Sequence, residues 1–223
     1  MVVLATKLYV GGDARQRALD SLSAQVEDVL GDLEVEWSVG VRDDDFPSVT
    51  VDGDDAPVAR SLLGETWGSI TPHREPGDTH VGTLERWDED GFYLDAGEEV
   101  FVPSDGFGLG PGTPAQVRQR FGLVQHVPLR FVVEEDGPAR LADEERDRLY
   151  GWTRGEGRVN VNSATRSEVR ATINRAGHAQ DIVTVERLGL LEQSVVCREG
   201  TDPPGLIAAI GRYLPAELLA VVP

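Results

Sequence analysis

Cysteine, methionine and lysine each occur once in the 223-residue chain, and only four histidines are present. A single cysteine, Cys197, excludes an internal disulfide and any Cys-rich zinc site. His73, His80, His126 and His178 show no metal-ligand spacing, so no metal and no cofactor is expected. Long apolar runs are also missing. Met1–Val10 is apolar but too short to span a bilayer, and it lacks a basic leader segment. The expectation is a soluble, cytoplasmic protein. Nucleotide-loop signatures are absent too. The glycines of Gly106–Gly112 fit neither phosphate-loop pattern, and no lysine follows them, so they read as a turn into a helix. His178 and Asp181 are the candidate acid–base pair, without a convincing nucleophile beside them. Ser163 and Thr165 read as helix caps and Cys197 as a buried strand residue. The chain is expected not to be an enzyme.

What is plentiful is acid. There are 39 Asp and Glu against 21 basic residues, of which all but Lys7 are arginine, for a net charge of −18. An acidic coat nearly free of lysine resembles proteins of salt-loving archaea. At high salt the Debye length falls to about 3 Å, so such a coat serves solubility and does not exclude a nucleic-acid partner. The acid is unevenly spread. Residues 140–223 carry 11 arginines and 12 acids, whereas residues 1–139 carry 10 bases and 27 acids. The C-terminal third is nearly neutral, either because a partner needs that surface or because more of it is covered.

The pattern predicts an α+β protein in which two ferredoxin-like β-α-β-β-α-β modules flank a small OB-like β-barrel. The first module, residues 1–76, reads as a strand over Val2–Val10, a helix to Leu30, a hairpin around Asp43–Asp45, a helix from Asp55 to Trp67 and a short strand at Ile70–Thr71. The aspartates at 43–45 read as a solvated turn. A Pro/Gly linker over 71–78 leads to residues 79–135, where short strands, one helix opened by Thr113-Pro114 and a closing strand suggest the barrel. The phrases Gly82-Thr-Leu-Glu85 and Asp90-Gly-Phe-Tyr-Leu-Asp95 resemble the opening of RNA-binding OB repeats of ribosomal proteins. That resemblance implies a stacking face, for which Trp87, Phe92 and Tyr93 are the candidates, with Phe101 beside them. A second linker is expected at 134–138.

Residues 140–223 read as a charged helix over Leu141–Trp152 followed by a second β-α-β-β-α-β unit. Thr165 and Glu168 form a capping box before Val169 and Ile173. Arg166 and Arg170 are four apart on that helix, Arg175 and His178 lie at its end, and Arg158 precedes the first strand. Guanidiniums offer planar donor forks suited to phosphate, so these five residues are the candidate nucleic-acid contacts. Glu168, Asp181 and Glu186 are candidates to neutralise them instead. Thr165–Arg170, Arg175–Val183, Glu186–Glu192 and Cys197–Leu206 resemble an archaeal family of unknown function, in a salt-adapted version, along essentially the whole chain. The resemblance carries no activity or catalytic residue. The expected role is a non-enzymatic RNA-binding or RNA–protein-associated factor of archaeal translation or transcription. The alternatives are an adaptor docking onto a protein complex and, third, an enzyme built on His178 and Asp181 with a closed pocket and a bound metabolite.

Overall fold

The computed structural model describes residues 1–135 and 137–223; Asp136, inside the expected 134–138 linker, lies outside the described residues. Among these residues there are three antiparallel sheets and six α-helices, a mixed α+β architecture.

The N-terminal sheet has the spatial order β1 (Val2–Val3), β3 (Pro47–Gly53), β2 (Val35–Val41). The helices α1 (Gly12–Leu30) and α2 (Ala56–Trp67) share its core. Helix α1 forms because Ala18, Leu22, Val26 and Leu30 recur every fourth residue and all are buried. Enclosing each Leu or Val contributes about 1.5–3 kcal/mol. The expected strand over Val2–Val10 is much shorter than its β-branched composition suggests. Leu4, Ala5, Thr6 and Leu8 are all enclosed, so the segment lacks the inside-outside alternation of a half-exposed strand. Its amides instead bond loop carbonyls, Leu4 to Pro47, Ala5 to Gly68 and Leu8 to Asp45. The expected strand at 70–71 reduces to a bridge between Leu4 and Ser69.

The central sheet has the order β6 (Glu99–Pro103), β5 (Gly91–Asp95), β4 (Thr79–Trp87), β7 (Pro128–Val132), β8 (Arg140–Leu141). A register shift between Leu84 and Arg86 marks a bulge, which sharpens twist. A Cβ on Gly106 would lie 3.1 Å from the Ala139 carbonyl, so the chain leaving β6 meets the chain entering β8 and the sheet curls into a half-barrel. The connection from β6 to β7 holds α3 (Pro114–Arg120), closed by a reciprocal capping box between Thr113 and Gln116. Phe92, Phe107, Phe121 and Phe131 fill the interior. Although the sequence groups 140–152 with the C-terminal unit, Leu141, Leu149 and Trp152, the last two on α4 (Asp143–Trp152), are buried in this central core.

The C-terminal sheet has the order β10 (Ile182–Arg187), β11 (Gln193–Cys197), β9 (Arg158–Val161), β12 (Leu218–Val221). Between β9 and β10 lies α5 (Arg166–Arg175), and between β11 and β12 lies α6 (Pro203–Ile210). The Thr165–Glu168 capping box forms as expected.

The three units meet at a shared junction. Leu190 and Leu191, from the β10–β11 loop, belong to the N-terminal core, and Val221 belongs to the central one. Polar bonds fasten the seams: the Leu190 amide donates to Thr6 Oγ1 at 2.8 Å, Asn160 Nδ2 to the Gly122 carbonyl at 2.8 Å, and Arg118 pairs with Glu217.

Candidate nucleic-acid interface

Most arginines have a partner inside the molecule. Arg158 pairs with Glu186, donates to Ser194 and lies over the Trp152 ring. It is therefore a structural strap across β9, β10 and β11 rather than a free phosphate contact. His178 Nδ1 is 2.6 Å from Asp181, across the turn that follows α5. Those two candidates are satisfied locally, within the C-terminal unit.

The remaining arginines behave differently. Among the described residues, Arg170, Arg175 and Arg187 have no carboxylate within ion-pair distance, no hydrogen bond and no ring contact, and all three are exposed. At about 100° per residue, Arg166 and Arg170 share one flank of α5 and Arg175 lies roughly 140° further round. The five candidates thus do not form one cluster. Arg187, at the end of β10, joins the first flank. Burial and then the neighbouring Arg166 charge hold its guanidinium below its ordinary value, with Asp28 opposing. Arg166 itself donates only to the Val185 carbonyl, at 2.6 Å. The flank therefore holds Arg166, Arg170 and Arg187. Sequence spacing missed Arg187, because strand and helix meet only in the fold.

The aromatic candidates also separate. Phe92 is fully buried and stacks on Phe107 with centroids 4.0 Å apart, so it is a core residue and offers no face to a base. Strand alternation decides this. Trp87, the register partner of Phe92, packs against the same core and is covered by the Arg118 guanidinium at 3.8 Å. Tyr93 points the other way. It pairs with Phe101 at 4.9 Å and carries the Arg86 guanidinium 3.3 Å from its ring centroid.

A polar chain that the sequence did not reveal crosses the junction. Tyr9 donates to Glu192 at 2.7 Å, accepts from the Ser163 amide at 2.9 Å and stacks on His126 at 3.9 Å. His126 lies 3.2 Å from Glu85, which also meets Lys7 at 3.3 Å, and Lys7 bonds Asp95 at 2.7 Å. Burial would raise the Glu85 carboxyl, but bonds from His126 and Thr83 and the charges of His126 and Lys7 hold it below its usual value. Glu192 is the opposite case. Complete burial, reinforced by the nearby Glu85 charge, pushes it up to about 8 despite the Tyr9 bond. These residues come from all three units.

Beside the same junction lies a cleft of about 380 Å³, walled by Trp67 at the end of α2, His80 and Arg130 on the central sheet, Arg148 on α4 and Arg187. Arg130 and Arg148 share the fully buried Glu145. His80 Nε2 is shielded from solvent and has no hydrogen-bond partner among the described residues.

The modular layout matches a family. Residues 1–73 match the DUF2110 N-terminal domain, residues 74–153 the DUF2110 central domain and residues 156–222 the DUF2110 C-terminal domain. The chain belongs to the DUF2110 family. No curated protein matches it. In this DUF2110 chain the boundary between the central and C-terminal domains falls after α4, the helix packed on the central sheet. Among the described residues no group of three His, Cys, Asp or Glu side chains is placed to hold a metal ion, and no helix is long and apolar enough to cross a membrane. The functional candidates that stay accessible are the three arginines without a carboxylate partner among the described residues, the half-buried Tyr93–Phe101 pair and the walls of the cleft.

Proposed function

We propose that the chain binds RNA, holding the phosphate backbone with Arg166, Arg170 and Arg187, with Arg175 as an outer contact and Tyr93 as a stacking platform. In the same reading the outer units are ferredoxin-like and the central unit is OB-like. The strand order β10-β11-β9-β12, with a helix after the first and third strands in chain order, supports the former. The curled sheet with a helix in its longest connection supports the latter. The observation that carries the function is the unpartnered set Arg170, Arg175 and Arg187, in a chain with 39 acidic residues to choose from. Exposed guanidiniums without a carboxylate partner stay available to an external anion, and Arg187 beside Arg166 concentrates positive charge there.

Fluorescence anisotropy with a labelled structured RNA tests this. The Arg166→Ala/Arg170→Ala double variant is expected to weaken binding at least tenfold and to flatten the salt dependence, each lost phosphate contact removing about 0.7–0.9 from the log–log slope. Unchanged affinity and slope would reject the RNA reading. A stoichiometric protein that stays bound after nuclease treatment, and is released by the double variant, would assign the flank to protein docking instead.

A further inference from the structure

We propose that the cleft at the three-unit junction is a binding site for a nucleoside monophosphate, either free or as the phosphorylated end of an RNA chain. Its volume, about 380 Å³, lies within the range of small-ligand pockets, roughly 300–1,000 Å³. All three units contribute walls, so the site exists only in the assembled chain. The chemistry of the walls is complementary to a nucleotide in three respects. Arg130, Arg148 and Arg187 bring three guanidiniums against the single buried carboxylate of Glu145, and Arg187 has no carboxylate partner among the described residues. Phosphate is the anion whose oxygens such donor forks hold in pairs. The half-buried indole of Trp67 gives a planar apolar wall for a base, with the Leu188 side chain across the unit boundary. The third respect is hydrogen bonding. Among the described residues His80 carries a ring nitrogen without a partner, and Glu65 and Thr66, whose hydroxyl already donates to the Leu62 carbonyl, add acceptor oxygens suited to ribose hydroxyls.

An unpaired shielded nitrogen costs free energy, so its presence in a basic wall wants an explanation that a bound polar ligand supplies. The carboxylate of Glu65 at the cleft leaves the net charge only modestly positive. One phosphate group is therefore a better fit than a triphosphate.

For a free nucleotide the inference does not depend on the RNA reading; for an RNA end it extends that reading. The two can fail separately, because Trp67→Leu leaves Arg166, Arg170 and Arg187 in place and the Arg166→Ala/Arg170→Ala variant leaves the cleft walls in place, whereas Arg187→Gln touches both sites. Isothermal titration with each of the four nucleoside monophosphates, the matching nucleosides and inorganic phosphate is the direct test. At least one monophosphate is expected to saturate at sub-millimolar concentration and its nucleoside not to, with Arg187→Gln weakening binding about ten- to hundredfold. Trp67→Leu is expected to weaken the monophosphate and leave inorganic phosphate unchanged. Competition by a 5′-phosphorylated oligoribonucleotide, and not by its 5′-hydroxyl form, would assign the site to RNA ends; no competition would assign it to free nucleotide. Absence of saturation by every monophosphate up to millimolar concentration would overturn the proposal. So would binding that neither variant alters, provided their thermal melts match the parent.

Discussion

Glu192 shows what a single residue contributes when its surroundings are set by three units at once. Buried completely and held by Tyr9, its carboxyl is pushed up to about 8, so the folded chain keeps it protonated at neutral pH while the unfolded chain, near the ordinary 4.5, does not. The folded state then binds more protons, and stability falls as pH rises from about 4.5 to about 8 and is flat beyond. Glu192→Gln mimics the neutral acid. Denaturant melts of parent and variant are expected to coincide near pH 5 and to diverge above it, the variant becoming more stable by on the order of a few kcal/mol at pH 9. Parallel profiles would show that the carboxyl is already ionised in the fold. None of this was legible in the sequence. Lys7 and Tyr9 are far along the chain from Glu85, His126 and Glu192, the five occupy no shared motif, and only tertiary packing brings them together. The same holds for the basic flank: Arg166 and Arg170 were readable from their four-residue spacing, whereas Arg187 sits on a strand and had no spacing to betray it.

At the scale of elements, legibility follows from how local the cause is. Helices α1 and α5 were readable because their buried positions repeat with helical period and, in α5, because Thr165 and Glu168 cap each other within one turn. Thr165→Ala removes that cap and is expected to cost about 1 kcal/mol, whereas Phe92→Ala, which empties the centre of the half-barrel, is expected to cost about 3–5 kcal/mol. Urea denaturation of both variants checks the ranking, and equal losses would contradict the placement of Phe92 in the core. Strand β1 was overread for a non-local reason. A segment buried on both sides loses the alternation that marks a strand, and Leu4 and Leu8 lie in a core closed by α1, α2 and β3 together with Leu190 and Leu191 from far along the chain. Aromatic roles were ambiguous for a related cause. Phe92 and Tyr93 are adjacent and chemically alike, and only the direction of the strand's pleat assigns one to the core and the other to the surface.

For the whole molecule, the uneven charge found in the sequence has two components. Part of the neutral C-terminal third is covered by its neighbours: Asn160, Asn162, Gln193 and Ser194 are buried at or near the seams. The rest is exposed and basic, on the α5 flank and around the mouth of the cleft, with Arg187 common to both. A net charge of −18 repels a polyanion at long range, so contact must rest on this local surface and on screening by salt. The most direct test of the central claim is ultraviolet crosslinking of the chain to RNA in cells, followed by identification of the crosslinked residues. RNA–peptide adducts confined to α5, the β10 end, Tyr93 and the cleft walls are the predicted result. Adducts mapping to the acidic N-terminal sheet, or no RNA recovered at all, would contradict it.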